Sequence, residues 1–190
     1  MRLLDINELR QLVRAGWTPE YVFFLEPEPT REGVLGSECL SQWYPAPMEV
    51  DGVRFPTAEH YMMWRKARLF GDDAIEREIL ADDNPGIAKQ LGRRIRNFNG
   101  EIWTQHRFEV VLTGSLAKFQ QHPRLRTYLL ETRDRVLAEA SPVDYIWGIG
   151  FDALDERAKM PLIWKGINLL GFVLMHARAH FRDSNAPAAH

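Results

Sequence analysis

The sequence predicts an α+β fold: one compact domain, a helical majority and a small N-terminal set of strands. Apolar residues recur at helical spacing over most of residues 57–132 and again beyond 164. Short aromatic or β-branched runs fall earlier, at 21–25 and 48–55. The chain has 190 residues, 45% of them hydrophobic, enough for one buried core. No repeat, linker-like composition shift or low-complexity tract divides it. The domain is expected over 21–182, with a helical extension at 1–20 and a flexible tail at 183–190.

In chain order, Leu4, Ile6, Leu9, Leu12 and Val13 mark a short amphipathic helix over 5–15 that stops at Gly16. Residues 21–25 read as a buried strand. Residues 26–33 read as a loop, because two prolines withhold backbone donors. A short extended segment is expected at 40–44, ended by Pro45 and Pro47. Asp51-Gly52 between Val50 and Val53 is a hairpin signal, since this pair tolerates positive φ. Thr57 suits the N-cap of a helix over 57–70. Further helices are expected at 72–81, 85–93, 99–120 and 122–132, with Pro85 and Pro123 in first turns. A strand at 136–140, a glycine-shaped turn at 147–150, an exposed loop at 152–161 and a helix over 164–181 complete the reading.

The formal net charge is −2, so no global field draws the chain to nucleic acid or to acidic membranes. A single cysteine, Cys39, cannot close an internal disulfide and fits a reducing setting. Asp5, Glu8, Arg10 and Arg14 interrupt any apolar core of a signal peptide, and no apolar run approaches a membrane span. A cytoplasmic location is expected.

Most of the chemistry is expected on the helix at 57–70. At about 100° per residue, Lys66 falls within roughly 20° of Glu59, two turns along. Met62, Met63 and Phe70 lie on that side, while Arg65 and Arg68 point away, toward water. An acid and an amine on an apolar stripe lose hydration, and pairing, a pKa shift or a ligand must offset the loss. Periodicity leaves two readings open. In one, Glu59 serves the helix dipole and Lys66 extends its stem outward. In the other, Lys66 is a reactive amine with a carboxylate acid or base beside it.

Other features are weaker. His176 and His180 stand at i, i+4, but no third metal ligand is evident. Lys89, Arg93, Arg94 and Arg96 form a basic cluster, the usual composition of a solvated helix face. Trp43, Tyr44, Tyr61 and Trp64 are core-type aromatics, one or two of which are able to stack on a base. The Trp147–Gly150 turn lacks the setting of a dinucleotide fingerprint.

Residues 39–72, CLSQWYPAPMEVDGVRFPTAEHYMMWRKARLFGD, together with AKQLGRRI at 88–95, SPVDYIWGIG at 141–150 and WKGINLLG at 164–171, resemble in order the signature strings of the NADAR family of YbiA-like proteins. The resemblance spans about 21–180 and implies a compact α+β fold and N-glycosidase chemistry without a cofactor or metal. Two substrate classes attach to the family: ribosylaminopyrimidine phosphate intermediates of riboflavin biosynthesis, and ADP-ribose on guanine, with nucleic acid as carrier. It implies no membrane partner.

The family motif P-T-x-E-H-Y falls on Pro56, Thr57, Glu59, His60 and Tyr61, and its following lysine on Lys66. The D-x-x-W-G pattern falls on Asp144, Trp147 and Gly148. Lys165, Gly166, Asn168 and Gly171 match the last string. Where the family commonly has S-N-F, this chain has Ser41, Gln42 and Trp43, which implies a different base preference if they line the base pocket. The resemblance thus implies Lys66, Glu59 and Asp144 as catalytic residues, with Gln42, Trp43, Tyr61, Arg93, Trp147, Gly148 and Asn168 at the substrate. The competing class is a non-catalytic ADP-ribose or nucleotide-binding module. A metal-dependent hydrolase is a third, without a ligand set.

Overall fold

Side-chain caps decide where the helices of this chain begin. In the computed structural model, residues 5–25 and 34–185 are described. Among them are α1 (Ile6–Arg14), β1 (Tyr21–Phe24), β2 (Met48–Val50), β3 (Val53–Phe55), α2 (Ala58–Leu69), α3 (Asp73–Leu80), α4 (Pro85–Gly92), α5 (Gly100–Gln121), α6 (Pro123–Glu131), β4 (Val136–Glu139) and α7 (Leu169–Asn185). The fold is α+β, as expected. Asp5, Thr57, Asp72, Asn84 and Asn99 each turn a side-chain oxygen onto the first backbone N–H groups of α1 to α5, which the helix itself cannot satisfy. The chain divides into two units, residues up to Ser41 with Arg124 onward, and Gln42–Pro123.

In the first unit β1 and β4 pair in parallel, Tyr21 opposite Val136 and Phe24 opposite Glu139. α7 packs on β4. Arg10 of α1 donates to Pro161 O and Trp164 O, both at 3.0 Å, and so ties α1 to the 161–164 segment. Arg178 of α7 is 2% exposed and spends its guanidinium on Thr132 Oγ1 (2.7 Å) and Arg135 O (2.9 Å).

In the second unit the β2–β3 hairpin turns through Asp51 (φ 52°) and Gly52 (φ 77°), the two left-handed residues that its Asp-Gly pair foretells. α2 packs against α3, α4, α5 and β3. Its residues from Ala58 to Trp64 are all buried, so it is enclosed nearly all round rather than along one stripe. Arg68 does reach water and stacks its guanidinium 4.7 Å over the Trp64 ring. Arg65 does not follow it: the residue is half-buried and its Nε is enclosed.

Three expectations change. Residues 40–44 are not extended. A 3-10 turn occupies Ser37–Leu40, closed by Ser41 N donating to Glu38 O, and Gln42 then offers its carbonyl to Glu59 N at the head of α2 (3.0 Å). The last helix begins at Leu169, not 164. The intervening backbone bonds to 145–149, and Asn168 takes a left-handed φ of 52°, which a helix does not admit. The 152–161 segment holds a 3-10 turn at Glu156–Lys159, with Ala158 and Pro161 buried. α7 runs to Asn185, so the expected tail lies outside the described residues from 186 on, as does the expected loop at 26–33.

Asp72 joins α3 to the chain after α4. Its enclosed carboxylate accepts from Arg96 N (2.8 Å), Arg96 Nη2 (2.7 Å) and Ile75 N (3.4 Å), and the guanidinium holds the carboxyl well below the usual range. A carboxyl with a depressed folded-state pKa stabilises above its unfolded value and loses that contribution as pH falls. Asp72→Asn should therefore melt lower than wild type at neutral pH. The gap should narrow as the pH drops below about 4, read by thermal denaturation across pH.

Candidate functional site

Lys66 leaves the last turn of α2 and reaches the C-terminal end of α4. Its ammonium donates to Gly92 O at 2.8 Å. That carbonyl is among those that a helix end leaves unsatisfied, and the negative end of the helix dipole favours a cation there. Two rings cover the amine: Phe98 lies 4.3 Å and Trp103 5.7 Å from Nζ. Phe98 is held edge-on by Phe70 (5.2 Å) and borders an open groove along the first turn of α5, with Glu101, Thr104 and Gln105. Burial pushes the Lys66 pKa down. The negative charge of Glu59 raises it in part, and the positive charge of Arg93 lowers it further.

Glu59 sits two turns upstream on α2 and is 3% exposed. Its neighbour His60 is fully enclosed and structural. Nε2 meets Asp82 O at 3.0 Å and Nδ1 meets the Thr57 hydroxyl at 2.8 Å, so the ring donates from Nε2 and accepts at Nδ1. Burial lowers its pKa and keeps it neutral. Gln42 is buried and supports Glu59 through the main chain. Trp43 is half-buried against Gly86 at the start of α4, with Lys89 Nζ 5.6 Å over its ring. Arg93, the C-cap of α4, is exposed and close enough to act on Lys66. Tyr61 is 2% exposed, stacked edge-on to Phe55 (5.3 Å) and pressed against Gly114. Its contacts in this structure are those of the core. Within this unit Lys66, Glu59 and Arg93 belong together electrostatically.

In the first unit, the strings 141–150 and 164–171 are laced by main-chain hydrogen bonds. Gly166 N donates to Ile149 O, Ile167 N to Tyr145 O and Asn168 N to Gly148 O, each at 3.0 Å. A Cβ on Gly166 would sit 2.1 Å from Gly148 O, so only glycine permits this approach. Asn168 is fully enclosed. Its amide bridges β4, accepting from Glu139 N (3.0 Å) and donating to Leu137 O (2.8 Å). Asn168 and Gly148 thus hold the backbone of this turn in place. Asp144 is half-buried and pins the turn through Oδ1, which accepts from Ile146 N (2.9 Å) and Trp147 N (2.8 Å). Trp147 is half-buried.

A model of the NADAR domain matches residues 23–182. The chain belongs to the NADAR family. An N-glycosidase of Acanthamoeba polyphaga mimivirus is 42% identical over 85% of this NADAR chain and 96% of its own length. The N-glycosidase YbiA of Escherichia coli is 33% identical over 70% and 74% respectively. A riboflavin biosynthesis protein of Vibrio vulnificus is 28% identical over 90% of the NADAR chain, which spans 41% of that larger protein. The NMR structure of E. coli YbiA superposes with a TM-score of 0.72 over 92% of each chain at 27% identity.

Three parts of the Lys66 environment were missing from the expected site: Gly92, Phe98 and Trp103. Gly92 lies within one of the quoted strings, but as a backbone acceptor it leaves no residue-type signal. Lys118 was also missed. It is 1% exposed, with Nζ 5.5 Å from the Tyr44 ring, and at its position it reads as an ordinary surface lysine of a long helix. Among the described residues no group of three His, Cys, Asp or Glu side chains is placed to hold a metal, and no helix is long and apolar enough to cross a membrane.

Gly92 also lets α4 approach α2, since a Cβ there would stand 2.0 Å from Met63 Sδ and 3.0 Å from its Cγ. Gly92→Ala should cost about 1–3 kcal/mol through overpacking, read by urea denaturation. It should also pull the carbonyl from Lys66.

Proposed function

We propose that this chain hydrolyses a ribosyl C–N bond through Lys66 as nucleophile, with Glu59 as its acid–base partner. That it is a hydrolase of N-glycosyl bonds follows from its NADAR membership and from N-glycosidase relatives at 33% and 42% identity. The residue roles and the substrate are the proposal. The observation that supports the roles is the setting of Lys66: a half-buried amine under two aromatic rings, its pKa lowered by burial, with a buried carboxylate acting on it from the same helix.

In this reading the neutral Lys66 amine bonds to the anomeric carbon while the bond from that carbon to the base nitrogen breaks. The electron pair leaves with the base, whose nitrogen takes a proton from the Glu59 carboxylic acid. The nitrogen of Lys66 gives up a proton to Glu59 in turn, and Glu59 passes it to the ring oxygen as the bond from that oxygen to the anomeric carbon breaks, which opens the sugar to a protonated Schiff base. Water adds at the same carbon, the amine departs, and the sugar, still carrying its phosphate or ADP group, closes again. Arg93 serves a substrate phosphate, and Trp43 and Gln42 the base. Asp144 and Trp147 enter on the family motif alone. The substrate is ADP-ribosylated guanine or a ribosylaminopyrimidine phosphate, the second in keeping with the riboflavin relative.

Offering both substrates to the purified protein and separating products by chromatography tests this reading. Base release is expected from at least one, lost in Lys66→Ala with the melting temperature retained. Glu59→Gln should lower kcat by about 10²–10⁴-fold with little change in KM. Thermal stabilisation by ADP-ribose without any base release would favour a binding module instead.

Arg93 gives a separate check. Its charge repels the ammonium and lowers the Lys66 pKa, so removing it raises that pKa. The rising limb of the kcat–pH profile should move to higher pH in Arg93→Gln, with the alkaline plateau kept. A limb that stays in place while KM rises would make Arg93 a phosphate contact only.

A further inference from the structure

A lysine ammonium has three N–H donors, and at Lys66 three groups face it. Gly92 O accepts at 2.8 Å, the Phe98 ring is centred 4.3 Å from Nζ, and the Trp103 ring 5.7 Å from it. All three favour the charged form, the carbonyl by its hydrogen bond and the rings by the negative charge of their faces. A nucleophile needs the reverse, a neutral amine with its lone pair open to the incoming carbon. The arrangement in the free protein therefore keeps the amine closed.

Reaction brings that carbon to about 3–3.5 Å from the nitrogen. The same carbon keeps about 3.5–4 Å from the atoms of any ring beyond it. A ring centred 4.3 Å from Nζ leaves no space for both on its side. Gly92 O cannot give way, since it ends α4 where that helix presses on Met63. Trp103 belongs to α5, is 9% exposed and sits in the core.

Phe98 differs from both. It is 48% exposed and lies in the connection between α4 and α5, just after Asn97 with its left-handed φ of 57°. Phe70 meets its ring edge-on at 5.2 Å. Beside it runs the groove lined by Gly100, Glu101, Thr104 and Gln105, with a volume of about 850 Å³. A cavity of about 150 Å³ is enough to take up benzene, so a phenyl ring has room there. Glu59 on α2 and Arg93 at the end of α4, the charges that act on the amine, belong to elements other than the one that carries the ring.

We propose that Phe98 gates Lys66: its ring closes the amine in the free protein and swings into the groove beside α5 when the sugar enters. A gate meets a hazard of this chemistry, because a neutral amine in the open condenses with any free aldehyde. That the entering group is a sugar rests on the N-glycosidase reading; the closed amine does not.

Reductive alkylation of the full chain with glyceraldehyde and cyanoborohydride, followed by peptide mass spectrometry, tests the gate without any substrate. In the wild type Lys66 should react more slowly than the exposed Lys165 in the same digest. Phe98→Ala should speed the reaction at Lys66 by about three- to thirty-fold, the worth of one cation–π contact. The buried Lys118 should stay unmodified, which shows that the variant is folded. Should it not fold, Phe98→Leu should give a smaller increase in the same direction. Lys66 reacting as fast as Lys165 in the wild type, or no faster in the folded variant, overturns the proposal. With a turned-over substrate, Phe98→Ala should lower KM by about three-fold or more and keep kcat, because no ring has to be displaced. A raised KM would make Phe98 a stacking surface for the substrate and overturn the gate. Base release retained in Lys66→Ala would sink the catalytic reading and leave the alkylation result to decide the gate separately.

Discussion

The polar groups on the first two turns of α2 have to look for partners inside the protein, because Ala58 to Trp64 are all buried, and among the described residues Trp64 Nε1 is enclosed without one. An enclosed acceptor or charge without compensation costs several times what a typical hydrogen bond contributes. The second unit is arranged around that requirement. Thr57 caps the helix and also meets the His60 ring, whose other nitrogen is bonded to Asp82 O. Gln42 O receives Glu59 N. Lys66, at the far end, takes the terminal carbonyl of α4 and the faces of two aromatic rings. Packing α3, α4 and α5 on α2 therefore builds the core and, with the same contacts, desolvates the amine.

The first unit meets a similar demand through the main chain. Two strings of motif, 141–150 and 164–171, are zipped together where Gly148 and Gly166 leave no room for a Cβ. Asn168 imitates a strand along part of β4 by donating to one carbonyl and accepting from one amide. The motif residues there consequently divide. Gly148, Gly166 and Asn168 hold backbone in place, while Asp144 pins the turn through Oδ1 and Trp147 is half-buried.

Local chemistry was legible in the sequence and distant chemistry was not. The Asp51-Gly52 hairpin, the Thr57 cap and the proline at the head of α4 follow from residues within a turn of each other, and all appear in the structure. Glu59 and Lys66 could be placed on one helix face because seven residues make two turns. Their neighbours could not, since Lys66 finds its acceptor 26 residues away in Gly92, and a backbone carbonyl has no residue type. Arg65 misled in the same way, expected in water and found half-buried. A helical wheel assigns one wet side, but this helix has neighbours on nearly every side. The helix start expected at 164 failed because Gly166 and Asn168 serve tertiary bonds that override an apolar helical pattern.

The central claim is that Lys66 becomes covalently attached to the sugar during turnover. Incubating the wild-type protein with a turned-over substrate and cyanoborohydride, then mapping peptides by mass spectrometry, tests it most directly. The account predicts a substrate-dependent ribosyl adduct confined to Lys66. Undiminished base release with no adduct, or with the adduct on another residue, would contradict it.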